Sequence, residues 1–210
     1  RVLYLADADT FTRRELYSVP LDGSQAPVKL NRPLTSGSVL DNLVLSPDGL
    51  RVVFNVNFRD LYSAPTDGSH AAVRLTPSPA FNSADRVAIT ADSAHVVFSA
   101  DLGASSRYDL YSVPIDGGSP PADLTSAAIL GGAFTLTADS TRVVFIDSST
   151  NPDALYVAPL DRSAPPVRLN DPLQGHGFRG FALAQEHVVY IADQEAEELY
   201  ELFSAPLDGS

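Results

Sequence analysis

Apolar residues in this chain come in short runs of three or four, each bounded by polar turns, and the runs recur. Arg51-Val52-Val53-Phe54 follows the turn signal Ser46-Pro47-Asp48-Gly49. Adjacent apolar residues without strict alternation suit a strand covered on both faces. Leu61-Tyr62-Ser63-Ala64 predicts a second strand, closed by Pro65-Thr66-Asp67-Gly68. Val73-Arg74-Leu75 predicts a short strand polar enough for an edge, and Leu43-Val44-Leu45 supplies one more before the first turn. In both turns Asp precedes Gly, as a type I turn followed by a left-handed residue requires. The stretch from Leu45 to Thr76 is therefore a four-stranded antiparallel meander. Alone it cannot cover both its faces, so it must stack on neighbours.

Those neighbours are further copies. The Arg-Val-Val-Phe motif returns as Arg1-Val2-Leu3-Tyr4, His95-Val96-Val97-Phe98, Arg142-Val143-Val144-Phe145 and His187-Val188-Val189-Tyr190. The Leu-Tyr-Ser-Ala-Pro motif returns from Leu16, Leu110, Leu155 and Leu202. Tyr17 and Phe203 lie 186 residues apart, which makes four steps of about 46; a propeller blade takes roughly 40–50 residues. No stretch holds a 3.6-residue apolar period, and the one helix-like fragment, Ala192 to Leu199, is worth a turn or two. The expected fold is all-β: a single domain over 1–210, a β-propeller of four-stranded antiparallel blades. Five repeats are visible, centred on 1–31, 41–76, 86–125, 132–170 and 180–210.

In these five registers SPDGLRVVF, DLYSAPTDG and VRLT resemble the repeat of TolB-type (WD40-like) β-propellers. They are also similar to the propeller domains of prolyl-oligopeptidase-type and tricorn-type peptidases. With no Trp in the chain, neither the Trp-Asp dipeptide of WD repeats nor the Asp-box of sialidases is present. Later copies drift: Thr90-Ala91-Asp92-Ser93 and Thr137-Ala138-Asp139-Ser140 lose the Gly, and Ala184-Gln185-Glu186 is one residue shorter. Both ends fall inside a blade, and closing five blades would take the equivalent of residues 25–50. The expectation is a fragment, or the ordered part, of a larger propeller. A complete five-bladed protein with an unusual closure, and pairing of open blade edges between chains, are the alternatives.

With 26 acidic against 14 basic residues the net charge is −12, which argues against nucleic acid and anionic membranes, since both attract basic patches. No apolar run reaches the ~18 residues that would span a bilayer. The chain starts at Arg1 and has no Met, which reads as a processed or trimmed start. The lack of Cys excludes disulfides and thiol chemistry.

In a propeller the Asp-Gly turns share one face and the more variable loops the other, and binding belongs to variable loops on a rigid scaffold. Just past each second strand stands an acid or amide: Asp7, Asn57, Asp101, Asp147 and Asp193. Rotation would bring these into a ring able to hold a partner's positive end, or a cation in the central channel. The competing reading is that each caps its own loop. Asp7-Ala8-Asp9 lacks the Gly and distal Glu of a calcium loop. Gly175-His176-Gly177-Phe178-Arg179-Gly180 is the most distinctive loop; His176 and Arg179 would reach a central opening and Phe178 would plug it, or Phe178 packs between blades. Arg13, Arg14, Arg32, Arg59 and Arg107 are expected to pair with nearby carboxylates. His95 and His187 replace strand-starting arginines and are expected at the surface.

No G-x-S-x-G elbow, Cys nucleophile or metal-ligand His spacing is present. The resemblance implies a non-catalytic, extracytoplasmic (periplasmic, cell-surface or secreted) scaffold that engages a protein or peptide partner through its loop-rich face. It needs no cofactor. The alternatives are the substrate-gating propeller of a larger serine peptidase, whose hydrolase domain lies outside these residues, and a self-assembling structural propeller.

Overall fold

The computed structural model describes residues 1–77, 82–102, 108–125, 129–148, 151–175 and 177–210, with the side chains of 82–85 and 129–132 left aside. Eighteen strands form five antiparallel meanders, and no helix occurs among the described residues. The first contains β1 (Val2–Ala6), β2 (Glu15–Val19) and β3 (Val28–Lys29). The second contains β4 (Val44–Leu45), β5 (Arg51–Val56), β6 (Asp60–Pro65) and β7 (Val73–Arg74). The third contains β8 (Asn82–Ile89), β9 (His95–Asp101), β10 (Asp109–Pro114) and β11 (Ala122–Asp123). The fourth contains β12 (Ile129–Leu136), β13 (Arg142–Asp147), β14 (Ala154–Pro159) and β15 (Val167–Arg168). The fifth contains β16 (Phe178–Ala184), β17 (His187–Ala192) and β18 (Glu201–Pro206). Ala192 ends β17, and residues 193–199 form bends and a turn closed by Leu199 N–H on the Ala196 carbonyl rather than a helix. An acidic run with no apolar stripe gives a short helix nothing to dock against.

Register explains the repeat. Facing residues of each central hairpin stack their rings: Tyr4–Tyr17, Phe54–Tyr62, Phe98–Tyr111, Phe145–Tyr156 and Tyr190–Phe203, with centroids 5.6–5.8 Å apart. Each such cross-strand pair contributes about 0.5–1.5 kcal/mol beyond area burial. The short outer strand always aligns so that the leucine after it donates its N–H to the third-strand leucine carbonyl. Leu30 to Leu16, Leu75 to Leu61, Leu124 to Leu110 and Leu169 to Leu155 are all 2.8 Å.

The core lies between sheets. One cluster joins the first and second sheets around Leu16, Val52 and Phe54. The next joins the second and third around Val53, Leu61 and Phe98. A third sits on Val97, Leu110 and Phe145, and a fourth on Val144, Leu155 and Tyr190. Adjacent valines in one strand thus serve opposite neighbours, which is why the runs do not alternate. Leu16, Leu61, Leu110 and Leu155 are 0% exposed, whereas the equivalent Leu202, on the far face of the last sheet, is 70% exposed.

Candidate functional site

Asp-Gly turns occupy one face of the stack. Gly23, Gly49, Gly68, Gly117 and Gly209 have φ between 67° and 77°, and each preceding Asp accepts a backbone N–H two residues on. Where the Gly is lost, Ser93, Ser140 and Gln185 keep positive φ of 61°, 53° and 56°. The Thr137 hydroxyl, helped by Thr141, lowers the Asp139 carboxyl to about 2, and the Ser46 hydroxyl lowers Asp48. Sheets are also tied together here: Asp48 N–H donates to Ser93 Oγ at 3.1 Å, and Ala91 N–H to Ser140 Oγ at 2.9 Å. Two clefts of about 790 and 460 Å³ open between turns, the first beside Arg1, Leu50, Arg51 and His70, the second beside His95 and Arg162. Regular turns leave such clefts because they stand only at blade corners, a consequence invisible in any single repeat. His95 and His187 are exposed.

On the other face the acid and amide positions act on the loops that enter the innermost strands. The Asn57 carboxamide accepts from Ser38 N–H at 2.9 Å and donates to the Ser36 carbonyl at 3.3 Å. A Cβ on Gly37 would lie 1.6 Å from Asn57 Oδ1, so only Gly lets the loop close on this side chain. Asp193 repeats the arrangement: Gly177 N–H reaches Asp193 Oδ1 at 3.4 Å, and a Cβ on Gly175 would lie 1.9 Å from its Oδ2. Asp101 and Asp147 are buried and partnered at the ends of β9 and β13. Asp7 is exposed and accepts Thr12 N–H at 3.4 Å. Asp9 lies against Lys29, which also reaches Glu15 at 3.1 Å; the Asp9 contact raises the Lys29 ammonium and lowers the Asp9 carboxyl. Among the described residues no three or more His, Asp or Glu side chains are grouped to hold a metal ion.

Phe178 is half-buried in the core between the last two sheets, 5.7 Å from the Tyr190 ring. Arg179 is exposed, its guanidinium 4.2 Å above the Tyr200 ring. His176 and Arg107 lie outside the described residues. Of the other arginines, Arg14 pairs with Asp41 at 2.5 Å. Arg13 and Arg32 instead donate to the carbonyls of Leu34 and Ala72, each at 2.7 Å. Planar guanidinium forks serve loop carbonyls that the sequence does not bring near them.

Two residues outside the acid and amide set stand out. Phe11 and Phe58, in the corresponding loops of the first two blades, are 85% and 66% exposed. Phe58 follows Asn57 in a tight turn where both have positive φ, 57° and 56°. A bulky residue in that conformation is costly, and here it holds an aromatic ring in water. A lone Phe inside Asp-Thr-Phe-Thr-Arg-Arg or Asn-Phe-Arg-Asp was the available signal. Leu199, in the matching loop of the last blade, is 52% exposed.

No protein-family model matches the sequence, and no curated protein sequence does either. Solved structures do match in three dimensions. A protein described as TolB from Agrobacterium tumefaciens superposes with a TM-score of 0.58 at 18% identity, covering 80% of this chain and 58% of that one. TolB from Acinetobacter baumannii gives 0.53 at 17%, covering 99% of this chain and 49% of that one. The tricorn protease gives 0.63 at 10%, covering 90% of this chain and 22% of that one. The chain thus spans about half the length of the TolB chains it matches. The repeat, the five antiparallel meanders and these superpositions agree: the chain has a β-propeller fold, similar to that of the TolB structures and of the tricorn protease.

Proposed function

We propose that this propeller is a non-catalytic, extracytoplasmic scaffold that engages a protein or peptide partner through its loop-rich face. The observation that carries the reading is the pair of exposed rings, Phe11 and Phe58, on corresponding loops of neighbouring blades. Exposed aromatics beside arginines are the usual anchors of a protein interface. The −12 charge favours a partner with basic residues. In this reading Phe11 and Phe58 fill apolar hollows of the partner, and Asp7 and Arg179 form the polar rim. Asn57, Asp101, Asp147 and Asp193 hold the loops in place, the three aspartates adding a field that attracts cations. Docking is rigid-body on a preformed surface, and affinity falls as salt rises.

The test is selection of displayed peptides against the protein, counter-selected on a Phe11→Ser/Phe58→Ser double variant. Selected peptides that lose at least tenfold affinity on the double variant, at unchanged melting temperature, support the reading. Peptides that bind both proteins equally contradict it. Asp7→Asn and Asp101→Asn then ask whether the carboxylates contribute through a shallower salt dependence.

A further inference from the structure

The corners between neighbouring blades on the turn face are built alike, and the arginine that starts a blade's second strand reaches into them. Arg51, at the start of β5, donates from Nε to Ser63 Oγ at 2.9 Å. Burial lowers its guanidinium, against two acids that raise it: Asp116, in the turn after β10 of the next blade, and Asp48, in the first turn of its own. Arg142, at the start of β13, extends into the corner shared with the fifth blade. There it donates to the Leu207 carbonyl at 3.2 Å and to Glu186 Oε2 at 2.7 Å. Its matching acids, Asp139 and Asp208, are lowered first by hydrogen bonds from Thr137 and Ser210 and then by Arg142. Arg1 repeats the contact to a serine, from Nε to Ser18 Oγ at 2.8 Å.

Between the third and fourth blades the same frame stands without its arginine. His95 holds the place of Arg51 and Arg142, facing Pro114 as they face Pro65 and Pro159. Ser112 holds the place of Ser18 and Ser63, and Asp92 and Asp161 hold those of the two acids. An imidazole on one methylene is shorter than a guanidinium on three and offers no fork of donors. Here a cleft of about 460 Å³ is open, lined by these four residues together with Pro114 and Leu160. Ligand pockets run to roughly 300–1,000 Å³, so the space suits one side chain and part of its backbone. Both flanking sheets have all four strands, and the cleft follows from the residue at 95.

We propose that this cleft receives an arginine side chain from a separate polypeptide, in the position that the protein's own arginines take in neighbouring corners. The guanidinium lies between the Asp92 and Asp161 carboxylates with its Nε donating to Ser112 Oγ, and its methylene stem runs along Pro114 and Leu160. Lysine is a poor substitute, because a compact ammonium lacks the planar fork that serves a hydroxyl and two acids together. Arg162, exposed in the glycine place of the fourth-blade turn, favours an acidic residue beside the incoming arginine. The −12 net charge draws the cation in. The site lies on the turn face, opposite the loops that carry Phe11 and Phe58, and does not rest on them.

The probe is a fluorescein-labelled synthetic peptide, Gly-Ala-Arg-Asp-Ala-amide, titrated into the 210-residue protein by fluorescence anisotropy. Saturable binding is expected, with amide shifts at Ser112 and Asp161. Replacing the probe's arginine by citrulline, which keeps the shape and loses the charge, or by lysine should weaken binding roughly tenfold or more, as loss of charge-assisted bonds implies. His95→Arg puts the protein's own guanidinium into the cleft. It should abolish binding and melt no lower than the parent, so the loss is not unfolding. The Phe11→Ser/Phe58→Ser double variant should bind the probe unchanged, which separates failure here from failure of the loop-face reading. No saturation at millimolar probe, equal affinity for the arginine probe and its citrulline or lysine replacement, or undiminished binding to His95→Arg would overturn the proposal. Concentration-dependent self-association that the probe competes away would assign the cleft to an arginine of a second copy and overturn the separate partner.

Discussion

Replacing the same leucine of the repeat by Ala in two different blades isolates what sheet stacking contributes. Leu110 and Leu202 hold equivalent places, each opposite the central strand of its own sheet. Leu110 is 0% exposed, in the cluster that joins the third and fourth sheets, and Leu202 is 70% exposed. Truncating a fully buried Leu loses transfer free energy and leaves a cavity, together about 2–5 kcal/mol. Truncating an exposed one changes stability by roughly 0.5 kcal/mol or less. For a domain near this size each kcal/mol moves the melting temperature by about 2–4 °C. Leu110→Ala should therefore melt roughly 5–15 °C lower than the parent, and Leu202→Ala within about 2 °C of it. Circular dichroism near 215 nm during heating, repeated in urea, measures both. Equal losses would show that the far face of the last blade is covered in solution. A negligible loss at Leu110 would refute the claim that stability resides between sheets.

Other consequences are as direct. Gly49 has φ 72° with open space around the position of its Cβ. Gly49→Ala should cost about 1 kcal/mol from backbone strain alone, while Gln185→Gly, at φ 56°, should gain a similar amount; urea midpoints decide both. Asn57→Ala should lower stability by about 1–2 kcal/mol and speed hydrogen exchange at Ser38, whose N–H it accepts; unchanged exchange there would remove its capping role. Asp139 has a folded pKa of about 2 against an ordinary 3.8. Its contribution to stability is therefore complete above about pH 4 and is lost as pH falls toward 2. A carboxyl NMR titration should place its midpoint near 2, and Thr137→Val should raise it; an unmoved midpoint would show that the Thr137 hydroxyl is not the cause.

Much of the fold was legible because stacked sheets impose one chemistry on every copy. The Val-Val-Phe runs serve two neighbours at once, and the Phe-Tyr pairs and Asp-Gly turns each have a local cause that sequence displays. Ser93 and Ser140 could not be read as left-handed, since nothing in their own chemistry favours positive φ; the hairpin around them imposes it. The site was less legible. Asn57 closes on Ser36 and Ser38, and Asp193 on Gly175 and Gly177, so their partners lie some sixteen to twenty-one residues back along the chain. Phe11 and Phe58 carry no periodic signal, and their exposure follows from the loop conformation. Arg13 and Arg32 find carbonyls on segments that meet only after the sheets stack.

The central claim is that five sheets turn about a common axis while packing face to face. Spin labels on single cysteines, which the cysteine-free chain allows, can be placed in pairs at the equivalent exposed turns Asp22, Asp67, Asp116 and Asp161. Electron-electron resonance then reads the separations. Rotation about an axis predicts narrow distributions in which two-blade and three-blade separations fall progressively short of two and three times the one-blade separation. Separations that grow in proportion, as in a flat stack, or distributions too broad to rank, would contradict it.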